Sequence, residues 1–249
     1  MEVSTGLGIA TAGLIAKPFA DVAADTLKRI VGPSADEIGG LIAGPLSLLR
    51  ERRKRNVEDI LIRTVAKLPA DEQLYAPLRI AMQAIEYGSV ADDEHLRECW
   101  AGLLASACSD DGADDSNVTF TSILQQLSSL QARIIDLLCE RLPKTDVGEG
   151  MVRIPENDGV NPIMVFELQN LVANCTSSRL NCDLVGLGRL GLIDIPLATA
   201  MLIKPHRVCM TEETFKPTPT CLAFYVRCKG SRLPPAEYFG FPEYHPAMY

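Results

Sequence analysis

APLRIAMQAIEYGSVADDEHLRECWAGLLASACSDDGADDSNVTFTSILQQLSSLQARIIDLL, residues 76–138, decides how this chain folds. In its middle, Leu96, Cys99, Trp100, Leu103, Leu104, Ala107 and Cys108 recur at three- and four-residue steps, which makes one apolar stripe on an α-helix. Asp92, Asp93 and Glu94 crowd its start, where carboxylates satisfy free N–H groups and suit the positive end of the helix dipole. The chain's one Trp lies in the stripe, and packing is the ordinary role of so large an apolar surface. A second helix is expected around Ile123, Leu124 and Leu127. A third, starting at Ser128 or Ser129, carries Leu130, Ile134, Leu137, Leu138 and Leu142 on one face. These residues specify a helical core and no reaction.

Toward the N-terminus the spacing of Leu46, Leu49, Val57, Ile60, Leu61, Val65 and Leu68 predicts a long helix over residues 46–68. Its middle holds Arg50, Arg52, Arg53, Lys54 and Arg55 against Glu51, so it is either a solvated turn or a contact for an anionic surface. Pro69 and Asp71 mark a turn, and a further helix over residues 77–87 stops at Gly88. The first 45 residues are rich in Gly and Ala. Their uncharged runs, residues 3–16 and 38–49, fall short of the ~20 residues a membrane-spanning helix needs. Shallow insertion beside the basic run is the alternative to burial in the core. Nothing at the start reads as a secretory signal, so a cytoplasmic protein is expected, peripheral to the inner membrane when active.

Composition agrees with a folded chain: 249 residues, 47% hydrophobic and 22% charged. Net charge is −8, and residues 1–150 account for all of it with 15 Lys/Arg against 23 Asp/Glu. A bulk-basic nucleic-acid binder is thereby disfavoured, though a local patch is not. The acidic run SDDGADDSN (residues 109–117) lacks the Gly and Glu positions of a calcium loop and reads as solvated.

After Pro143 the sequence turns polar and Gly/Pro-punctuated. Residues 151–154 suggest a short strand, 163–173 and 179–190 suggest helices, and Gly191 is placed to end the second of these. Residues 192–195, 199–203 and 222–226 look like strands. The order is that of a winged helix-turn-helix. The expected architecture is therefore mainly α: residues 1–45 a small-residue-rich apolar helical segment, 46–142 a helical core, 143–232 a smaller winged-helix-like α+β module, and 233–249 an aromatic, Pro-rich tail. Arg179 and Arg189 on the presumed recognition helix, opposed by Asp183, and Lys204 and Arg207 on the presumed wing are the candidates for DNA or partner contact. In the tail, Tyr238, Phe239, Phe241 and Tyr244 are candidates for docking on this domain or another chain.

Reactive groups are few. His206 and Cys209 have metal-like spacing and share their half with Cys175, Cys182, Cys221 and Cys228. The paired short spacings of a zinc site are missing, so core thiols are the expectation. His95 and Cys99 are i, i+4 neighbours without an evident third ligand. The sequence contains no zinc-protease signature, nucleophile elbow or phosphate-binding Gly-rich loop. No catalytic residue, metal or cofactor is expected.

The segments GPSADEIGGLIAG (residues 32–44), EHLRECWAGLLASA (94–107) and FTSILQQLSSLQARIIDLL (120–138), with the basic-centred helix between the first two, resemble the abortive infection alpha family, a bacterial domain associated with anti-phage defence. The likeness covers about residues 32–142, and more loosely continues to about 195. Its W-A-x-L-L-A centre carries no catalytic residue to transfer. The resemblance implies a non-enzymatic component of abortive-infection defence. A second copy or another protein chain is the expected partner, with peripheral membrane contact also open. The runner-up is a DNA-binding regulator using the C-terminal module.

Overall fold

The computed structural model describes residues 29–30, 51–155, 177–194 and 216–241. The expected features in residues 1–28, 31–50, 156–176, 195–215 and 242–249 lie outside them. These include the apolar N-terminal runs, the helix over 163–173 and the strand over 199–203. The described chain is mainly helical. Its elements are α1 (Glu51–Lys67), α2 (Leu78–Gly88), α3 (Glu94–Ser106), α4 (Val118–Leu124), α5 (Ser129–Arg141), β1 (Thr145–Gly148), β2 (Met151–Arg153), α6 (Ser177–Arg189), β3 (Ile193–Asp194), β4 (Lys216–Pro217), α7 (Pro219–Cys228) and α8 (Pro235–Tyr238). The strands form two antiparallel pairs, β1 with β2 and β3 with β4.

Local chemistry places the ends of these helices. Asp93 caps α3 by accepting hydrogen bonds from the backbone N–H of His95 (3.0 Å) and Leu96 (3.3 Å). Ser128 and Gln131 form a reciprocal capping box at α5, each side chain accepting from the other's backbone N–H. At the end of α6, Gly191 adopts φ +69°. This lets its N–H reach the Gly188 carbonyl while Leu192 N–H reaches that of Leu187, closing the helix as the sequence predicts.

Helix α3 is buried well beyond its stripe. Every residue from Cys99 to Ser106 is buried, because α1, α2, α4, α5 and α7 all pack on it. Gly102 makes the closest of these approaches tolerable: an added Cβ would sit 1.7 Å from the carbonyl oxygen of Cys228 on α7. The core runs from Ile30 through the helices around α3 to Leu187, Ile193, Phe224 and Ala236, so residues on both sides of Pro143 share it.

Helix α7 is a correction. Residues 222–226 read as a strand in the sequence, but they lie within a ten-residue helix. A short apolar run does not distinguish a buried strand from a buried helix, and here the flanks decide. Thr218 Oγ1 accepts from Cys221 N–H at 3.1 Å, Pro219 occupies the first turn, and Gly230 at φ +90° closes the other end. The other short strands follow the expectation, with β2 within residues 151–154 and β3 within 192–195. The described residues do not complete a winged helix.

An ion network joins α1 to α3. Arg63 reaches Asp59 (2.7 Å), Glu94 (2.8 Å) and Glu98 (2.8 Å), Lys67 reaches Glu98 (2.6 Å), and Arg97 reaches Asp59 (2.7 Å). Burial alone would raise the Asp59 and Glu98 carboxyls. The guanidinium and ammonium groups beside them outweigh it and hold both below their ordinary range.

Two outcomes are expected. Gly102→Ala forces main chain against main chain and should cost about 2–3 kcal/mol in urea unfolding. Depressed carboxyls contribute stability above their unfolded values, near pH 4, that is lost as pH falls through the lower folded values. The urea midpoint should therefore drop between pH 7 and pH 3, and drop less in Arg63→Met. An equal drop in both proteins would exclude the network as the cause.

Candidate functional site

Three helices bring five polar side chains to one junction: His95 from α3, Asp136 and Glu140 from α5, and Tyr225 and Lys229 from the α7 end. The Lys229 ammonium lies 2.8 Å from Asp136 Oδ2 and 3.6 Å from Glu140 Oε1. It also sits 4.8 Å above the Tyr225 ring. The Tyr225 hydroxyl donates to Glu140 Oε1 at 3.3 Å. His95 Nε2 stands 3.4 Å from Asp136 Oδ2, buried and without an aligned hydrogen bond. Burial pulls the Lys229 ammonium down, but the hydrogen bond and charge of Asp136 more than reverse this, so it stays protonated. Burial, with Tyr238 next in weight, pushes the Tyr225 hydroxyl up. Lys229 is thus a charge committed to its carboxylate partners, and with Tyr225 it ties α7 to α5. Sequence reasoning missed it. The usable signal was the i, i+4 spacing of Asp136/Glu140 and Tyr225/Lys229, beside apolar faces.

The aromatic tail continues this junction. Tyr225 meets the Tyr238 ring edge-on at 6.2 Å and stacks on Phe239 at 6.1 Å. Lys144 lies 4.7 Å over the other ring system of the pair, that of Phe239, and burial draws its ammonium down. Ala236 N–H donates to the Gly150 carbonyl (3.0 Å), tying α8 to the β1–β2 turn. Tyr238, Phe239 and Phe241 therefore pack on their own chain, half-buried against the core. Tyr244 lies outside the described residues.

The basic run behaves differently. Arg52, Arg53, Lys54 and Arg55 occupy consecutive positions in the first turns of α1, so they diverge by about 100° each and share no single face. Arg52 pairs with Asp92 at 2.9 Å, although both side chains are largely exposed. Arg53 and Arg55 are exposed and Lys54 is half-buried. Arg50 lies outside the described residues.

On α6, Arg179 and Arg189 are exposed. They stand ten residues apart, so roughly 15 Å separates them along the axis. Asp183 offsets the charge of Arg179 from the inner side of the helix. It is buried, accepting from Ser128 Oγ at 3.1 Å, while its backbone carbonyl accepts from Gln131 Nε2 at 3.1 Å. Its second oxygen is 3.8 Å from Arg179 Nε. This bolts α6 to the start of α5. Lys204 and Arg207 lie outside the described residues.

Of the cysteines weighed for zinc, Cys182 is exposed, while Cys221 and Cys228 point into the core. Cys221 Sγ lies 3.9 Å from Cys139 Sγ, and Cys228 lies beside Cys99 in the core. Burial pushes the Cys139 and Cys228 thiols up, and that of Cys108 up to about 12. His95 and Cys99 thus engage different partners. Among the described residues no group of three or more His, Cys, Asp or Glu is arranged to hold a metal ion. Among them, too, no helix is long and apolar enough to cross a membrane. Cys175, His206 and Cys209 lie outside the described residues.

Comparison with known proteins adds one match. The family described as abortive infection alpha matches residues 50–217, from the first turn of α1 to the end of β4. That range starts after the GPSADEIGGLIAG segment and extends beyond residue 195, so the likeness sits further along the chain than the sequence resemblance placed it. No curated protein and no solved structure matches the chain. With two thirds of its length inside the match, the chain belongs to the abortive infection alpha family, a membership that suggests a role in abortive-infection defence.

Proposed function

We propose that this protein serves abortive-infection defence as a non-enzymatic component, acting through contact with protein, either a second copy or another chain. The observation that carries the reading is apolar surface facing water. Leu78 and Met82, one turn apart on α2, are 39% and 37% exposed, and Val90 just beyond that helix is 50% exposed. Large apolar side chains left exposed are what a binding surface offers, since covering them releases ordered water. Lys229 is paired with Asp136 and Glu140 within the fold, which favours a structural use of these groups over an acid–base one. Membrane contact through Arg50, Arg52, Arg53, Lys54 and Arg55 would accompany this role. DNA binding through Arg179, Arg189, Lys204 and Arg207 is the rival reading.

The test is phage challenge of cells expressing the chain, with survivor counts, beside light scattering and a pull-down from infected cells. Leu78→Glu with Met82→Glu should keep the helical circular dichroism spectrum and lose both association and protection, the latter by at least about tenfold, the factor that ~1.4 kcal/mol of lost contact free energy gives. Full protection by a folded double variant would sink the protein-contact reading. Salt-sensitive DNA binding by the intact protein, lost in Arg179→Glu with Arg189→Glu, would establish the rival. Flotation with anionic liposomes, abolished by Arg52→Glu and Arg53→Glu, tests the membrane contact separately.

A further inference from the structure

Cys221 stands at the third position of α7, and its backbone N–H is fixed by the Thr218 hydroxyl. Across the interface Cys139 occupies the last turn of α5. Both side chains are fully buried, their sulfurs are 3.9 Å apart, and 82 residues of chain separate them. In a core lined by leucine, isoleucine and alanine, a second thiol is not needed to fill the space beside the first. Two sulfurs facing one another across helices, with no metal ligand beside them among the described residues, have a dithiol–disulfide couple as their shared chemistry.

We propose that Cys139 and Cys221 form a modification site that hydroperoxides convert to a disulfide, joining α5 covalently to α7. One sulfur attacks a peroxide oxygen: an S–O bond forms, the O–O bond breaks, and water or an alcohol leaves with the thiol proton. The second sulfur then displaces the hydroxyl: the S–S bond forms, the S–O bond breaks, and water carries away the second proton. Each sulfur gives up one electron and the peroxide takes two. The sulfurs must close from 3.9 Å to about 2.05 Å.

Burial pushes the Cys139 thiol up and closes the pair off from solvent, so the reaction is slow in the closed fold and speeds up when α7 loosens. The product then holds α7 in place. The charged clamp at the other end of that helix, Lys229 with Asp136, becomes dispensable in the oxidised protein.

The experiment uses the full chain carrying Cys182→Ser, which removes the exposed thiol. Hydrogen peroxide is added in native buffer. Non-reducing peptide mass spectrometry and calorimetry follow, before and after dithiothreitol. Expected are a Cys139–Cys221 linked peptide two hydrogens lighter than its parts and a Tm raised by about 5–10 °C. Reductant should reverse both, and neither should appear in Cys139→Ala or Cys221→Ala. The proposal is overturned if native oxidation leaves both cysteines reduced, if Cys221 links to any other cysteine, if the link forms only in urea, or if it forms without raising Tm. The linkage is read in a chain that keeps both cysteines, so a variant that fails to fold does not decide the matter.

Discussion

The main-chain contact between Gly102 and Cys228 governs how the rest of the fold is arranged. Helix α3 can be surrounded only if its neighbours come close, and at Gly102 the neighbour is the last carbonyl of α7 itself. A residue with no side chain there lets two backbones touch. The side chains on either side, Cys99 and Ser106, then reach across: Cys99 meets Cys228, and Ser106 Oγ donates to the Arg227 carbonyl at 3.1 Å. Ser106 also accepts from Asn117 Nδ2 at 2.8 Å, so the same contact is linked onward to the start of α4. Close packing of this kind is worth more than its area, because dispersion falls steeply with any gap.

Charge is organised around that apolar centre in two tiers. Arg63, Arg97 and Lys67 tie α1 to α3 on one flank, and Lys229 ties α7 to α5 on another. Arg63 and Lys229 each meet more than one carboxylate, so losing any one bond leaves them still neutralised. Isolated exposed pairs such as Arg52–Asp92 contribute little by comparison, since solvent screens them and two long side chains must be held still. Partly buried, shared pairs escape much of that screening. They give direction to helix faces that apolar burial alone would let rotate.

Features set by neighbours in sequence were legible from it, and features set across the chain were not. Asp93, Ser128 and Gly191 act within a turn of their own helices, and each was readable as a cap or a stop. So was the stripe from Cys99 to Cys108, because helical spacing is a local property. Helix α7 was misread because its apolar residues carry no telling period, although Thr218-Pro219 before it and Lys229-Gly230 after it mark a helix's ends. The bond from Ser128 to Asp183 was not legible, because the two residues lie 55 positions apart. The same distance problem hid the meeting of His95, Asp136 and Lys229. Consecutive residues on a helix point about 100° apart, so Arg52, Arg53, Lys54 and Arg55 spread around the first turns of α1.

The order in which the polypeptide is made gives the Ser106–Arg227 contact a further meaning. These residues are 121 positions apart, so a ribosome adding ~5–20 residues per second needs on the order of 6–24 s between them. Throughout that interval α3 has been synthesised but its Gly102 face has no α7 to cover it. The nascent chain therefore carries an open apolar seam until α7 is translated. Translation stopped before residue 219 would leave that seam permanently open, in a product suited to chaperones or proteases. Completion of the core is in this sense a check that the message has been read through α7.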